Sequence, residues 1–216
     1  MHELQINKRA VPLPAQAPGS LATVSCGVPV AGGEIRILDE EGQPLPERQV
    51  GEIIIRTNAL FSGYHGQPEL TAQVMKDDWF YTGDLGYMAG GHLYICGRKK
   101  DMIIVAGRNV YPEDLEAIAN MVPGIYSDRA VAFGVFDEQL GSERIVMVCD
   151  LKRKAGDAEK IDIERELRRR VHQELDVTLG EVHLVKKGWV VKTINGKIAR
   201  SANREKYKAM KNEDLA

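Results

Sequence analysis

Apolar positions along the chain follow two different rhythms, and the change between them falls near residue 97. From Val24 to Cys96 the apolar residues come in short alternating or β-branched runs: Glu34–Leu38, Gly51–Arg56 and His92–Cys96. Gly, Asp and Pro bound each run, as in Asp39-Glu40-Glu41-Gly42 and Gly90-Gly91, so each predicts a strand. A helical stretch near Glu69–Met75 interrupts them. After Gly97 the spacing becomes mixed. Pro112 opens a helix with Glu113 and Asp114 in its first turn, where carboxylates favour the positive end of the helix dipole. Leu115, Ile118, Ala119 and Val122 share one face of it, and Pro123-Gly124 stops it. Ile163, Leu167, Val171 and Leu175, four apart, predict a second amphipathic helix. Between the two, Arg129–Asp137 and Glu143–Leu151 read as paired strands; Val182–Val185 and the strand-like Trp189-Val190-Val191 follow, then a polar helix over 201–211.

This pattern predicts a mixed α/β (α+β) fold in three parts. Residues 1–23, with Pro12, Pro14 and Pro18, form an extended lead-in; 24–98 a small barrel-like β subdomain; 99–216 an α+β domain. The 216 residues suffice for one large or two small cores. With 44% hydrophobic and 28% charged residues the composition is that of a globular protein. The net charge of −2 supplies no field for nucleic acid, and the β region lacks a basic stripe with interleaved aromatics. Arg168-Arg169-Arg170 reads as a solvated helix face. Cys26, Cys96 and Cys149 are too few and too scattered for a disulfide framework or a zinc site, no metal site is read, and a reduced cytoplasmic setting fits. No apolar run approaches the ~20 residues of a membrane span. The first residues lack the apolar stretch of a secretory signal.

Four segments carry candidate chemistry. Asp84, in Tyr81-Thr82-Gly83-Asp84-Leu85, offers two acceptor oxygens that match the paired hydroxyls of a ribose, although a lone aspartate between glycines also suits a turn. Arg98, in Gly97-Arg98-Lys99-Lys100-Asp101, has a forked donor set suited to ribose or phosphate oxygens, or is a surface arginine at a domain edge. The charges after Gly97 make a bendable joint. Gly107, in Val105-Ala106-Gly107-Arg108-Asn109-Val110-Tyr111-Pro112, allows close backbone approach of a ligand, or simply a turn. Lys197, in Asn195-Gly196-Lys197-Ile198, stands on a Gly-containing turn. It is not a Walker-type phosphate loop, because Ile198 replaces the Ser/Thr and Val191 the first glycine.

Taken in order, these segments resemble the adenylate-forming enzymes over residues of about 24 to 208. That family includes acyl- and aryl-CoA synthetases, luciferases, peptide-synthetase adenylation domains and fatty acyl-AMP ligases. The wording Gly107–Glu116 and the lead-in Val24–Pro29 lean toward fatty acyl-AMP ligases. The resemblance implies that Asp84 binds the ribose, Arg98 contacts ribose or phosphate, Tyr81 lies toward the nucleotide, Gly107 lines a thiol channel, Lys100 is the hinge and Lys197 is the catalytic lysine of adenylation. It implies ATP, released as AMP, with Mg2+ held in a large N-terminal region that would also supply the phosphate loop and acyl pocket. The implied partners are a fatty or other carboxylic acid, that N-terminal domain, and an acyl carrier protein or coenzyme A. The chain alone is expected not to form acyl-adenylate. The alternatives are an acyl-CoA synthetase using free coenzyme A, or a non-catalytic module that docks a carrier.

Overall fold

The computed structural model describes residues 3–4, 7–14, 17, 20 and 22–213. The chain divides into two compact units, Met1–Lys100 and Asp101–Ala216. Part of the lead-in lies outside the described residues. Its described portions include a bridge from Arg9 to Gln49; just beyond it, Ser25 bridges Tyr94, so residues 24–27 run beside a strand.

The first unit is a five-stranded antiparallel sheet branched at its longest member. Strands β1 (Glu34–Leu38), β2 (Gly51–Arg56), β4 (Trp79–Ala89) and β3 (Met75–Lys76) lie in that order, and β5 (His92–Arg98) pairs with the far half of β4. Alternation places Ile37, Ile53 and Leu93 in one apolar cluster, and Leu38, Ile54 and Trp79 in another. Helix α1 (Pro68–Val74) takes Pro68 at its first turn and Glu69 beside it. The sequence pattern does not reveal β4, because Gly83 and Gly86 interrupt its alternation.

The second unit joins a two-stranded hairpin, β6 (Ile103–Val105) and β7 (Arg108–Val110), to helix α2 (Pro112–Asn120). A three-stranded sheet follows in the order β10 (Leu179–Val185), β9 (Ser142–Leu151), β8 (Ile125–Asp137). Strands β8 and β9 are antiparallel; β10 returns parallel to β9 after helix α3 (Asp157–Leu175), a β-α-β connection. Ile163, Leu167, Val171 and Leu175 of α3 are all buried. Helix α4 (Arg200–Glu213) packs Tyr207 against Val131, Phe133, Val146 and Val148. These elements agree with the mixed α+β expectation, although β8 and β10 begin earlier than expected, at Ile125 and Leu179, and α2 ends at Asn120.

One expected strand is absent. Trp189–Val191 is irregular, because its backbone bonds to buried side chains instead of a neighbouring strand. Asp150 is fully buried and accepts the amides of Gly188 at 2.7 Å and Val190 at 3.0 Å. Asn203, also fully buried, accepts the Val191 amide at 2.8 Å and donates to the Val191 carbonyl at 2.9 Å. Arg168–Arg170 are a neutralised helix face: Arg168 pairs with Glu164 at 2.8 Å, and Arg169 and Arg170 share Glu166 at 2.7 and 2.6 Å. Cys149 is buried, Cys96 part-buried and Cys26 exposed, and no disulfide joins them. Among the described residues no helix is long and apolar enough to cross a membrane.

Candidate functional site

Asp84 owes its position to a bulge. Glu52 of β2 faces Leu85 and Ile54 faces Tyr81, so three residues of β4 (Thr82, Gly83, Asp84) oppose Ile53 alone. Gly83 makes this possible with a φ of +70° in the left-handed region. Thr82 fixes the bulge from within: its hydroxyl donates to the Ile53 carbonyl at 2.8 Å and accepts the Asp84 amide at 3.0 Å. The Gly83 carbonyl accepts the Lys99 amide at 3.0 Å, which ties the bulge to the end of β5.

Asp84 and Arg98 are direct cross-strand partners, and Arg98 Nε lies 3.0 Å from Asp84 Oδ1. The aspartate side chain is 27% exposed and the arginine side chain 54%, so both are within reach of a ligand. A pair this open contributes little to stability, about 0–1 kcal/mol. Its effect is to hold a carboxylate and a guanidinium side by side. Lys99 is turned away into an ion pair with Glu52 at 2.8 Å, and exposed Lys100 ends the first unit. Tyr81 stands just before the bulge, packed on the Leu38–Ile54–Trp79 cluster with the Lys76 ammonium 5.0 Å above its ring. Asp84, Arg98, Tyr81 and Lys100 thus belong to one sheet and its exit.

Gly107 and Lys197 belong to the second unit and sit on separate hairpins. The β6–β7 loop is Ala106-Gly107, with φ of +48° and +79°, the conformation of a two-residue type I′ turn. An alanine in the left-handed region costs roughly 1–2 kcal/mol. Here it is held: Ser142 Oγ accepts the Ala106 amide at 2.8 Å, and Glu143 accepts the Ile104 amide at 2.7 Å. The hairpin is therefore braced on the start of β9.

Lys197 closes a tight loop between Lys192 and Ile198, which form an isolated bridge. The Gly196 amide donates to the Thr193 carbonyl at 2.9 Å, and the Thr193 amide to the Lys197 carbonyl at 2.8 Å. Gly196, with a φ of +78°, supplies the left-handed residue that ends a three-residue turn. The Thr193 hydroxyl also accepts the Lys197 amide at 3.2 Å. Lys197 is exposed, as is Ile194 at the tip. Both stems of this loop are anchored: one by Asp150 and Asn203, the other by Arg200, whose side chain is 9% exposed.

Arg200 is the residue the sequence reading overlooked. Its trace in the sequence is an arginine standing on the inward stripe of α4, in step with Asn203, Tyr207 and Met210. Around it lies a strongly perturbed carboxyl: burial pushes Glu116 up to about 7, against the pull of Arg200 and the Ala132 amide. Its neighbour on α2, Asp114, is pushed up to about 7 by burial and by the adjacent Glu113. Among the described residues, no group of three or more His, Cys, Asp or Glu is arranged to hold a metal ion.

The chain thus pairs a β sheet that presents an Asp–Arg pair with an α+β unit that carries a lysine on a braced hairpin. The model of the AMP-binding enzyme family matches residues 10–65. The long-chain-fatty-acid–AMP ligase FadD26 of Mycobacterium tuberculosis is 33% identical over 216 aligned residues, covering 91% of this chain and 36% of its own length. The fatty acid–[acyl-carrier-protein] ligase ScoC of Streptomyces coeruleorubidus is 39% identical over 132 residues, 61% of this chain and 25% of its own. Among solved structures, a fatty acyl-adenylate ligase from a study of the Escherichia coli and Legionella pneumophila enzymes superposes with a TM-score of 0.83 at 32% identity. It covers 98% of this chain and 37% of its own. The chain belongs to the adenylate-forming, AMP-binding enzyme family. It spans about a third of the length of these relatives, or less.

Proposed function

We propose that this chain is the C-terminal part of an ATP-dependent ligase that activates a fatty acid as acyl-AMP and passes the acyl group to the phosphopantetheine thiol of a carrier protein. The observation that carries this reading is the Asp84–Arg98 pair, in which Asp84 stands on the glycine bulge of β4 and Arg98 lies two residues before Lys100, the end of the first unit. A carboxylate there accepts the two ribose hydroxyls of a nucleotide, and the adjacent guanidinium donates to ribose or phosphate oxygens. Tyr81 lies toward the same nucleotide. Magnesium would accompany ATP and offset the charge of its phosphates. The fatty acid and the carrier acceptor are supported by the names of FadD26 and ScoC.

Adenylation brings a carboxylate against the α-phosphate, two anions whose repulsion opposes attack. The Lys197 ammonium, presented on its hairpin, offsets that repulsion in a water-poor cleft. The second half-reaction needs the thiol to reach the same carbonyl. Rotation about Lys100 withdraws Lys197 and offers the Gly107 hairpin, whose left-handed turn lets a thiol arm run close to the backbone. Acyl transfer breaks the acyl–phosphate bond, forms the thioester and releases AMP.

The test is the intact ligase with Lys197→Ala, its half-reactions assayed separately. Adenylation is expected to fall by about a hundredfold or more, the scale of losing one electrostatic stabiliser. Thioester formation from supplied acyl-adenylate should stay within about threefold. Equal loss in both steps would refute the alternation. Parallel assays with coenzyme A and a holo carrier protein decide the acceptor. Pyrophosphate release by the 216-residue chain alone would contradict the assignment of the acyl pocket to another region.

A further inference from the structure

The Arg200 guanidinium joins four backbone segments that are distant in sequence. One nitrogen, Nη1, lies 2.8 Å from Asp101 Oδ2 and 3.2 Å from Glu113 Oε1. The other, Nη2, reaches both oxygens of Glu116 at 2.9 and 3.0 Å. Nε donates to the Ala132 carbonyl at 3.1 Å, and the Ala132 amide donates back to Glu116 at 3.0 Å. All five N–H groups of an arginine are needed to satisfy such a set, and a lysine ammonium cannot supply the fork.

The places where those partners lie give the cluster its meaning. Asp101 is the residue immediately after Lys100. Glu113 and Glu116 lie in the first half of α2, which starts two residues beyond the Gly107 hairpin. Arg200 itself is three residues beyond Lys197, at the start of α4. Resting on the ligase reading above, we infer that Arg200 is a positioning residue: it fixes the exit of the hinge, the base of the thiol-side hairpin and the stem of the lysine loop to one another, so that one rotation delivers Lys197 and Gly107 in turn. Without it each hairpin keeps its local turn but loses its shared reference.

The inference separates Arg200 from Lys197 by phenotype. In the intact ligase, Arg200→Lys is expected to lower kcat of both half-reactions by about tenfold or more, with KM for ATP and for the acid within about twofold, whereas Lys197→Ala lowers adenylation alone. Hydrogen exchange on the 216-residue chain supplies a second readout. In Arg200→Lys the amides of residues 193–199 and 103–110 should exchange faster, with those of Ile145–Cys149 in the core of β9 unchanged. Loss confined to one half-reaction, an altered KM in place of kcat, or faster exchange spread equally into β9 would each overturn the positioning role. If Lys197→Ala left adenylation intact, the ligase reading would fail by itself. The exchange pattern would then still decide whether Arg200 holds the two hairpins.

Discussion

At the scale of single residues, the second unit carries a charge conflict with a measurable sign. Asp114 and Glu116 of α2 are both part-buried, and desolvation pushes both up to about 7. A carboxyl whose value is raised by folding binds its proton more tightly in the folded state than in the unfolded chain, where it titrates near 4. Such a group adds its full stabilisation below about pH 4, and that contribution is lost as pH rises through about 7. Asp114→Asn removes one of the two charges without changing shape. It should raise the stability of the 216-residue chain by about 1–3 kcal/mol at pH 8, read as a higher urea midpoint, and change it little at pH 4.5. An equal shift at both values would show that ionisation of Asp114 is not the cause. Asp150 is distinguished by its hydrogen-bond partners. Its carboxylate is fully buried, yet it accepts two backbone amides and lies 3.3 Å from Arg129. Asp150→Ala strands all three donors and should cost about 3–5 kcal/mol, seen as a lowered thermal midpoint. The same variant should loosen the Trp189–Val191 segment that leads to Lys197.

At the scale of elements, what the sequence disclosed and what it concealed divide by range. The fourfold spacing of Ile163, Leu167, Val171 and Leu175 was readable because each residue's burial depends on its own helix, and all four are inside. The β1, β2, β5, β8 and β9 runs were readable for the same reason. The bulge at Asp84 was not, because it exists only as a mismatch between β4 and β2: three residues facing Ile53. Tyr81-Thr82-Gly83-Asp84 drew notice as a motif while hiding the strand that presents it. Arg200 was concealed by distance along the chain, its partners lying at 101, 113, 116 and 132. Trp189–Val191 looked like a strand by composition and lost that form to the side chains of Asp150 and Asn203. The bulge makes its own forecast. Thr82→Val keeps the β-branched shape but removes the hydroxyl that bridges Ile53 and Asp84. With the aspartate freed, the KM for ATP of the intact ligase should rise several-fold, while the thermal midpoint drops by only the ~1 kcal/mol of a lost hydrogen bond. An unchanged KM would show that the bulge does not aim Asp84 at the nucleotide.

At the scale of the molecule, the proposed alternation turns on a single joint, and the chain around it is unequally tethered. Lys99 is held on one side by its ion pair with Glu52 and by its amide's bond to Gly83. Asp101 is held on the other by Arg200. Lys100 lies between these two anchors, exposed and at the boundary of the two units. The proposed rotation would therefore concentrate its dihedral change at that residue, as hinges do. Lys100→Pro fixes φ near −65° and disfavours the helical region for Lys99, so it should trap one orientation without touching either hairpin or the Asp84–Arg98 pair. The outcome follows from which lysine setting survives. With Lys197 left in its adenylating position, the intact ligase should still release pyrophosphate once per site, but kcat for thioester formation should fall by about a hundredfold or more. Under single turnover it should then accumulate acyl-AMP on the protein, detectable by acid quench. Lys100→Ala, which leaves φ free, should turn over within a few-fold of the parent. If the proline variant ran both half-reactions at parental rates, the two units would not need to move about residue 100, and the two hairpins would have to serve the reaction from a single fixed arrangement.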